Sequence, residues 1–157
     1  LSSSVWPLSK AGLIRAARGM DGLYTFLSDN LDSGVITKLP KLQIISNFAV
    51  GYNNIDVAAA TARGIAVTNT PSVLTEATAD LTWGLVLAVV RHIPHGDRYV
   101  RSGQFRGWRP DLFLGMDLAG KTLGIIGLGR IGQAVARRAR ASGMKIIYTN
   151  PKPQPLF

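Results

Sequence analysis

The sequence predicts an α/β protein built on parallel strands, and three observations carry that prediction. Short apolar, strand-like runs alternate with helix-patterned segments from one end of the chain to the other. One such run passes directly into Gly127-Leu128-Gly129-Arg130-Ile131-Gly132, behind which Ile131, Ala134, Val135 and Ala139 recur at helical spacing. Between an earlier α/β block and this glycine-containing one lies 102–120, rich in Gly, Pro and aromatic residues, which reads as an interdomain connection.

Each element follows from local pattern. Leu13, Ile14 and Ala17 mark a short helix, and 22–27 reads as a strand. A second short helix covers 32–39 and is stopped by Pro40, after which 42–46 is again a strand. Beyond a turn containing Gly51, Asn53 or Asn54 caps a helix carrying Ile55, Val57, Ala58 and Ala62, which Gly64 ends. Ile65 to Thr68 returns as a strand, and Asn69-Thr70-Pro71 makes a turn. Thr75 then caps a long helix reaching Arg91, with Asp80 near its positive end. Pro94 ends or kinks this helix, and helical structure can resume over 96–102. Thr122 to Ile126 reads as a buried strand and Lys145 to Thr149 as the last strand, closed off by Pro151, Pro153 and Pro155.

Composition narrows the function classes. The chain of 157 residues is 46% hydrophobic and 17% charged, the profile of a globular protein. Its longest apolar stretch, 81–90, falls short of the ~18 residues of a membrane span, so no membrane partner is expected. With no cysteine there is neither a disulfide framework nor thiolate chemistry, and the N-terminus lacks a signal pattern, so a cytoplasmic location is expected. The net charge of +9 comes from scattered residues, densest at Arg98, Arg101, Arg106, Arg109 and at Arg137, Arg138, Arg140. No nucleic-acid-binding module accompanies it, so the charge is expected to steer anionic small molecules and no nucleic-acid partner is expected.

Strand, glycine turn and helix in that order form a dinucleotide-binding pattern. Gly127 permits the tight turn, Gly129 lets backbone approach a pyrophosphate, and Gly132 allows helix to pack on strand, with the phosphate on free helix N–H groups. The glycine block supplies strand, helix and strand only, half of a mononucleotide fold. A doubly wound nucleotide domain needs further βα units, so the chain is expected to be a piece of a longer protein.

Three ordered motifs then carry a resemblance. They are Ser46-Asn47-Phe48-Ala49-Val50-Gly51-Tyr52-Asn53-Asn54-Ile55-Asp56, the pair 63–71 (RGIAVTNTP) and 74–80 (LTEATAD), and 120–132 (GKTLGIIGLGRIG). In these the chain resembles the D-isomer-specific 2-hydroxyacid dehydrogenase family, closest to its glyoxylate and hydroxypyruvate reductases, over nearly its whole length. The resemblance implies a flavodoxin-like substrate lobe, partial here and covering 1–74, and then 75–157, a connecting helix with the first βαβ unit of a Rossmann NAD(P)-binding domain, also partial. It implies an oxidoreductase that reduces a small 2-oxo acid by hydride transfer, and a homodimer when full length.

The resemblance also assigns residues. The backbone amides at Val50 and Gly51 would receive the substrate carboxylate, as an anion-binding nest does, although a glycine at 51 also suits a plain strand-to-helix turn. Asn54 reads as a helix cap rather than a substrate contact. Thr78 matches a position near the cofactor, or simply occupies the first turn of the long helix. Arg130 would reach the pyrophosphate through its guanidinium and Ile131 through its backbone. The family's catalytic His and Glu and its substrate-orienting Arg would lie beyond Phe157, so no catalytic residue is assigned within the chain, and His92 and His95 read as surface or helix-end residues. Two histidines and scattered carboxylates offer no metal site. An NAD site places Asp or Glu about 20 residues beyond the turn; Asn150 stands there, followed by Lys152, so NADP is the expected cofactor, with NAD the alternative. The competing function is a non-catalytic dinucleotide-binding sensor or corepressor-like protein of the same fold.

Overall fold

The computed structural model describes residues 8–154. They form two compact units that divide between Val73 and Leu74, and the fold class is α/β with parallel sheets.

The first unit runs α1 (Lys10–Ala17), β1 (Gly22–Thr25), α2 (Ser33–Ile36), β2 (Ile44–Asn47), α3 (Val57–Ala62) and β3 (Ala66–Thr68). Its strands lie parallel in the order β1-β2-β3, with Leu23, Ile45 and Val67 in one row and Tyr24, Ser46 and Thr68 in the next. Side chains alternate across a strand. Ile45 and Asn47 therefore share the buried face of β2, whereas Ile44 turns outward and is 42% exposed. The core joins Leu13 and Ala17 of α1, Val35 and Ile36 of α2, Ile45 and Ala60. Helix ends are tied by side chains. Ser9 Oγ accepts from Gly12 N–H at 3.2 Å and Asp32 Oδ1 from Val35 N–H at 3.0 Å. The Lys10 ammonium pairs with Asp32 and, with the Val35 N–H second, holds this carboxyl below the usual carboxylate range. Arg63, just past α3, donates to the carbonyls of Ile36 and Leu39 and so binds the end of α2 to α3.

Several expectations are corrected here. The cap of α3 is Asp56, whose Oδ1 accepts from Ala59 N–H at 2.9 Å. Asn54 is drawn away instead, its Nδ2 donating to Phe26 O at 3.1 Å and Asp29 O at 3.0 Å. The first strand stops at Thr25 rather than 27, because Asp29 Oδ2 takes the Phe26 N–H at 2.9 Å and closes a turn.

The second unit runs α4 (Thr75–Val90), α5 (Ile93–Arg101), β4 (Thr122–Ile126), α6 (Arg130–Ala141) and β5 (Lys145–Thr149). β4 and β5 pair in parallel across five rows, from Thr122 opposite Lys145 to Ile126 opposite Thr149, and α6 returns the chain between them. Ala79 of α4 meets Ala134 and Val135 of α6, with Trp83 and Leu123 packed against them. Small residues at this contact allow the two helices to approach closely. Outside it, Arg138 pairs with Asp80 and, at 3.0 Å, with Glu76, while Arg137 reaches Glu76 at 2.9 Å. Asp80 first and Glu76 second raise the Arg138 guanidinium further above its ordinary range.

Four readings change in this unit. Thr75 is the first helical residue of α4, and the cap position falls on Leu74, without a side-chain bond. The break before Pro94 falls at His92, held at φ +55°, and Pro94 then sits in the first turn of α5, where its missing N–H costs nothing. The stretch 102–120 is not a connection between units. Met116 N–H donates to Val90 O, Gly120 N–H to Gly143 O, both at 2.9 Å, and Asp117 pairs with Arg91 at 3.0 Å, all inside the second unit. The expected burial of β4 is also corrected: Ile126 is 93% exposed, because α6 covers only the opposite face of the pair. Among the described residues no helix is long and apolar enough to cross a membrane, and no three His, Asp or Glu side chains gather to hold a metal ion.

Candidate functional site

In the first unit the chemistry gathers on the loop that leaves β2. Phe48 N–H donates to Thr25 O at 2.7 Å, Ala49 N–H to Asn47 O at 2.9 Å, and Thr70 N–H to Ala49 O at 2.9 Å, which fixes the start of the loop. Two carboxamides hold the carbonyls that follow. Asn69 Nδ2 donates to Val50 O and Asn47 Nδ2 to Gly51 O, each at 2.8 Å. A trans peptide carries its N–H opposite its carbonyl, so the Gly51 N–H faces away from Asn69 and the Tyr52 N–H away from Asn47. The N–H groups of Val50, Gly51 and Tyr52 donate to no group among the described residues. Three successive N–H groups on this loop are thus available as donors to an anion. A Cβ on Gly51 would crowd Asn53 Oδ1 at 3.2 Å and lie in ordinary contact with Leu27 Cδ2 at 3.9 Å.

In the second unit β4 ends at Ile126 and the glycine turn begins at once. Gly127 adopts φ +93°, a conformation that L side chains rarely take. Its N–H donates to Thr149 O at 2.9 Å, and the fully buried Leu128 anchors the turn from below. Gly129 is the extended cap of α6, with only open space where a Cβ would be. A Cβ on Gly132, by contrast, would overlap the carbonyl oxygen of Gly127 and lie 3.3 Å from its carbon and 3.4 Å from Ile125 Cγ2. The close approach of helix to turn thus depends on Gly132. The first hydrogen bond of α6 to the turn is Gln133 N–H to Gly129 O at 2.9 Å, leaving the N–H groups of Arg130, Ile131 and Gly132 without an acceptor among the described residues. They point along the positive end of a helix dipole.

The structure brings Asn150 to this turn. Its Oδ1 accepts from Leu128 N–H at 3.2 Å, and its Nδ2 donates to Lys152 O at 2.7 Å. One amide proton of Asn150 is therefore committed to backbone, and the second remains for a ligand. Arg130 and Lys152 are exposed. Thr78 stands in the first turn of α4, its N–H bonded to Leu74 O and its carbonyl to Thr82 Oγ1, and none of its hydrogen bonds reaches the glycine turn. Val50 and Gly51 belong to the first unit and the remaining candidates to the second. His92 lies at the α4–α5 junction, and the His95 ring packs on Phe113 at 4.7 Å.

Residues 3–152 match the family model of the D-isomer specific 2-hydroxyacid dehydrogenase catalytic domain. The chain belongs to that family. It is 54% identical over 140 residues to the glyoxylate reductase of Pyrococcus horikoshii, a match covering 87% of this chain and 42% of the relative. Its fold is similar to that of the TT0316 protein from Thermus thermophilus, with TM-score 0.89 and 48% identity, over 95% of this chain and 48% of that one. It is also similar to D-lactate dehydrogenase from Aquifex aeolicus, solved in complex with NAD and lactic acid, with TM-score 0.83 and 27% identity over 96% and 43% of the two chains. The chain spans about half the length of the curated relatives it matches.

Within this chain, the residues that sequence reasoning missed are Asn47 and Asn69, the two carboxamides behind the free N–H groups. A signal for Asn47 was present: it falls two residues after Ile45, on the inward side of a parallel strand where an apolar residue is the rule.

Proposed function

We propose that this dehydrogenase chain is part of an NAD(P)-dependent reductase that converts a small 2-oxo acid, glyoxylate or hydroxypyruvate, to the 2-hydroxy acid. The observation that carries the reading is two sets of unpartnered N–H groups in one chain: one on the β2 loop, able to donate to a carboxylate, and one at the start of α6, suited to a pyrophosphate. The 54% identity to a glyoxylate reductase supports it.

The residues of the turn fit a dinucleotide. The open space at Gly129 admits a phosphate against backbone, the free N–H groups of Arg130, Ile131 and Gly132 can donate to its oxygens, and the exposed Arg130 guanidinium can add charge. When bound, the nicotinamide supplies hydride. The N–H groups of Val50, Gly51 and Tyr52 hold the carboxylate of the oxo acid and so orient its carbonyl. A carbonyl oxygen that gains electrons must take a proton. Neither His92 nor His95 lies on either loop, so that acid, with an orienting Arg, would come from sequence beyond Phe157. Purified 157-residue chain should therefore oxidise neither NADPH nor NADH with glyoxylate or hydroxypyruvate, and extension through its continuation should bring turnover. Turnover by the short chain would place the acid inside it, and an inert extended chain would remove the reductase reading.

NADPH is the proposed preferred cofactor. Asn150 carries no charge to repel a 2′-phosphate, keeps one amide proton to donate, and stands beside the exposed Lys152. In Asn150→Asp the Leu128 N–H keeps an acceptor, but the new carboxylate would repel a 2′-phosphate and accept from ribose hydroxyls. The ratio of catalytic efficiencies should move towards NADH by about tenfold, the effect of one such interaction. An unaltered ratio, or an original preference for NADH, would refute this choice.

A further inference from the structure

Asn47 is 1% exposed, on the buried face of β2 where a parallel strand ordinarily places an apolar side chain. Its carboxamide is saturated. Oδ1 accepts from Thr25 Oγ1 at 3.1 Å and from Asn54 Nδ2 at 3.3 Å, while Nδ2 donates to Gly51 O at 2.8 Å and approaches Asn54 Oδ1 at 3.4 Å. Thr25, its first partner, is 2% exposed, and Asn54 is itself fixed by donation to the carbonyls of Phe26 and Asp29. The result is a polar network spanning β1, β2 and the loop, in which Asn47 supplies the bond to the Gly51 carbonyl. A fully satisfied buried network of this type fixes one geometry.

The loop needs such a device. Glycine at 51 avoids crowding Asn53 Oδ1, but the same missing Cβ frees the flanking peptide to rotate. If the Gly51–Tyr52 peptide turned over, its carbonyl would replace its N–H among the donors to the anion, and attraction would become repulsion. We infer that Asn47 is a positioning residue for carboxylate binding: by holding the Gly51 carbonyl from the core, it keeps the Gly51–Tyr52 peptide in the orientation that presents N–H to the substrate. This rests on the reading of the β2 loop as the carboxylate site of a 2-oxo acid reductase.

Asn47→Asp preserves shape and the two acceptor contacts at Oδ1 but sets a carboxylate oxygen, in place of a donor, against the Gly51 carbonyl. Steady-state kinetics of the extended chain with glyoxylate, inhibition by oxalate, and fluorescence titration with NADPH test the consequence. In Asn47→Asp, KM for glyoxylate and Ki for oxalate should rise about tenfold or more, since a part-buried carbonyl that loses its donor carries a penalty of that order. The change in kcat should be less than about threefold, and the NADPH dissociation constant should stay within about twofold. Thr25→Val, which keeps the Thr25 carbonyl bonded to the Phe48 N–H and removes only the hydroxyl anchoring Asn47, should raise the same two constants by a smaller factor, and it keeps the test alive if the aspartate variant does not fold. Unchanged glyoxylate KM and oxalate Ki in either folded variant would overturn the inference, as would a parallel loss of NADPH affinity, the mark of general loosening. Wild-type extended chain that binds NADPH but neither glyoxylate nor oxalate would instead overturn the carboxylate reading on which it rests.

Discussion

Gly132→Ala is expected to weaken dinucleotide binding by roughly a hundredfold or more. The added Cβ would overlap the Gly127 carbonyl oxygen and crowd the Gly127 carbon at 3.3 Å, both backbone atoms that cannot swing aside. Helix α6 must then withdraw from the turn, or Gly127 must leave its φ of +93°. Either movement separates the N–H groups of Arg130 and Ile131 from the turn they share. Overpacking at a rigid contact costs about 1–3 kcal/mol, and loss of the converging donors adds to it, so affinity for NADPH and NADH should fall by roughly a hundredfold or more. Fluorescence titration of the extended chain reads this directly. Gly129→Ala is the informative companion. Its Cβ meets no protein atom within 4 Å, so the fold should tolerate it and its melting temperature should hold, while the methyl group occupies the space proposed for a phosphate. Affinity within about threefold of wild type in Gly132→Ala would show that the approach of helix to turn is not what forms the site.

Gly51→Val should produce the second large loss, this time in substrate use alone. Gly51 is not among the residues with positive φ, so valine's backbone is allowed there and folding should survive. The branch would press on Asn53 Oδ1 and add bulk to the peptides that carry the free N–H groups of Gly51 and Tyr52. A carboxylate that cannot reach its donors loses charge-assisted hydrogen bonds. Two bonds of about 1.5–3 kcal/mol each correspond to at least a hundredfold in kcat/KM for glyoxylate, with the NADPH dissociation constant unchanged. Equal catalytic efficiency in wild type and variant would take the loop out of the substrate site. The two glycine variants separate the two sites: one should lose cofactor and the other only the acid.

Local punctuation made much of the fold readable. β4 and β5 have the bounds that apolar runs and flanking prolines indicate, and the glycine spacing marks the turn between β4 and α6. The caps were less readable. Asp56 and Asn54 stand two residues apart with similar capping chemistry, and only the nearby carbonyls of Phe26 and Asp29 decide that Asn54 turns away and Asp56 caps. Leu74 takes the cap position of α4 without a side-chain bond, so no capping residue marks where that helix begins. The candidate site shows the same division. Val50, Gly51, Gly127, Gly129 and Gly132 were visible because glycine spacing and motif order are written along the chain.

The sequence alone determined the class of fold, the order of its elements and the two loops whose backbone is open, since these depend on residues that are neighbours in the chain. Tertiary structure decided which donors on those loops are free. Asn47 reaches Gly51 from the core, Asn69 reaches Val50 from 19 positions away, and Asn150 reaches Leu128 from 22 positions away. A hydrogen bond is set by distance and direction in space; chain pattern records neither, so the carboxamides that aim this backbone become recognisable only once the strands have brought them together.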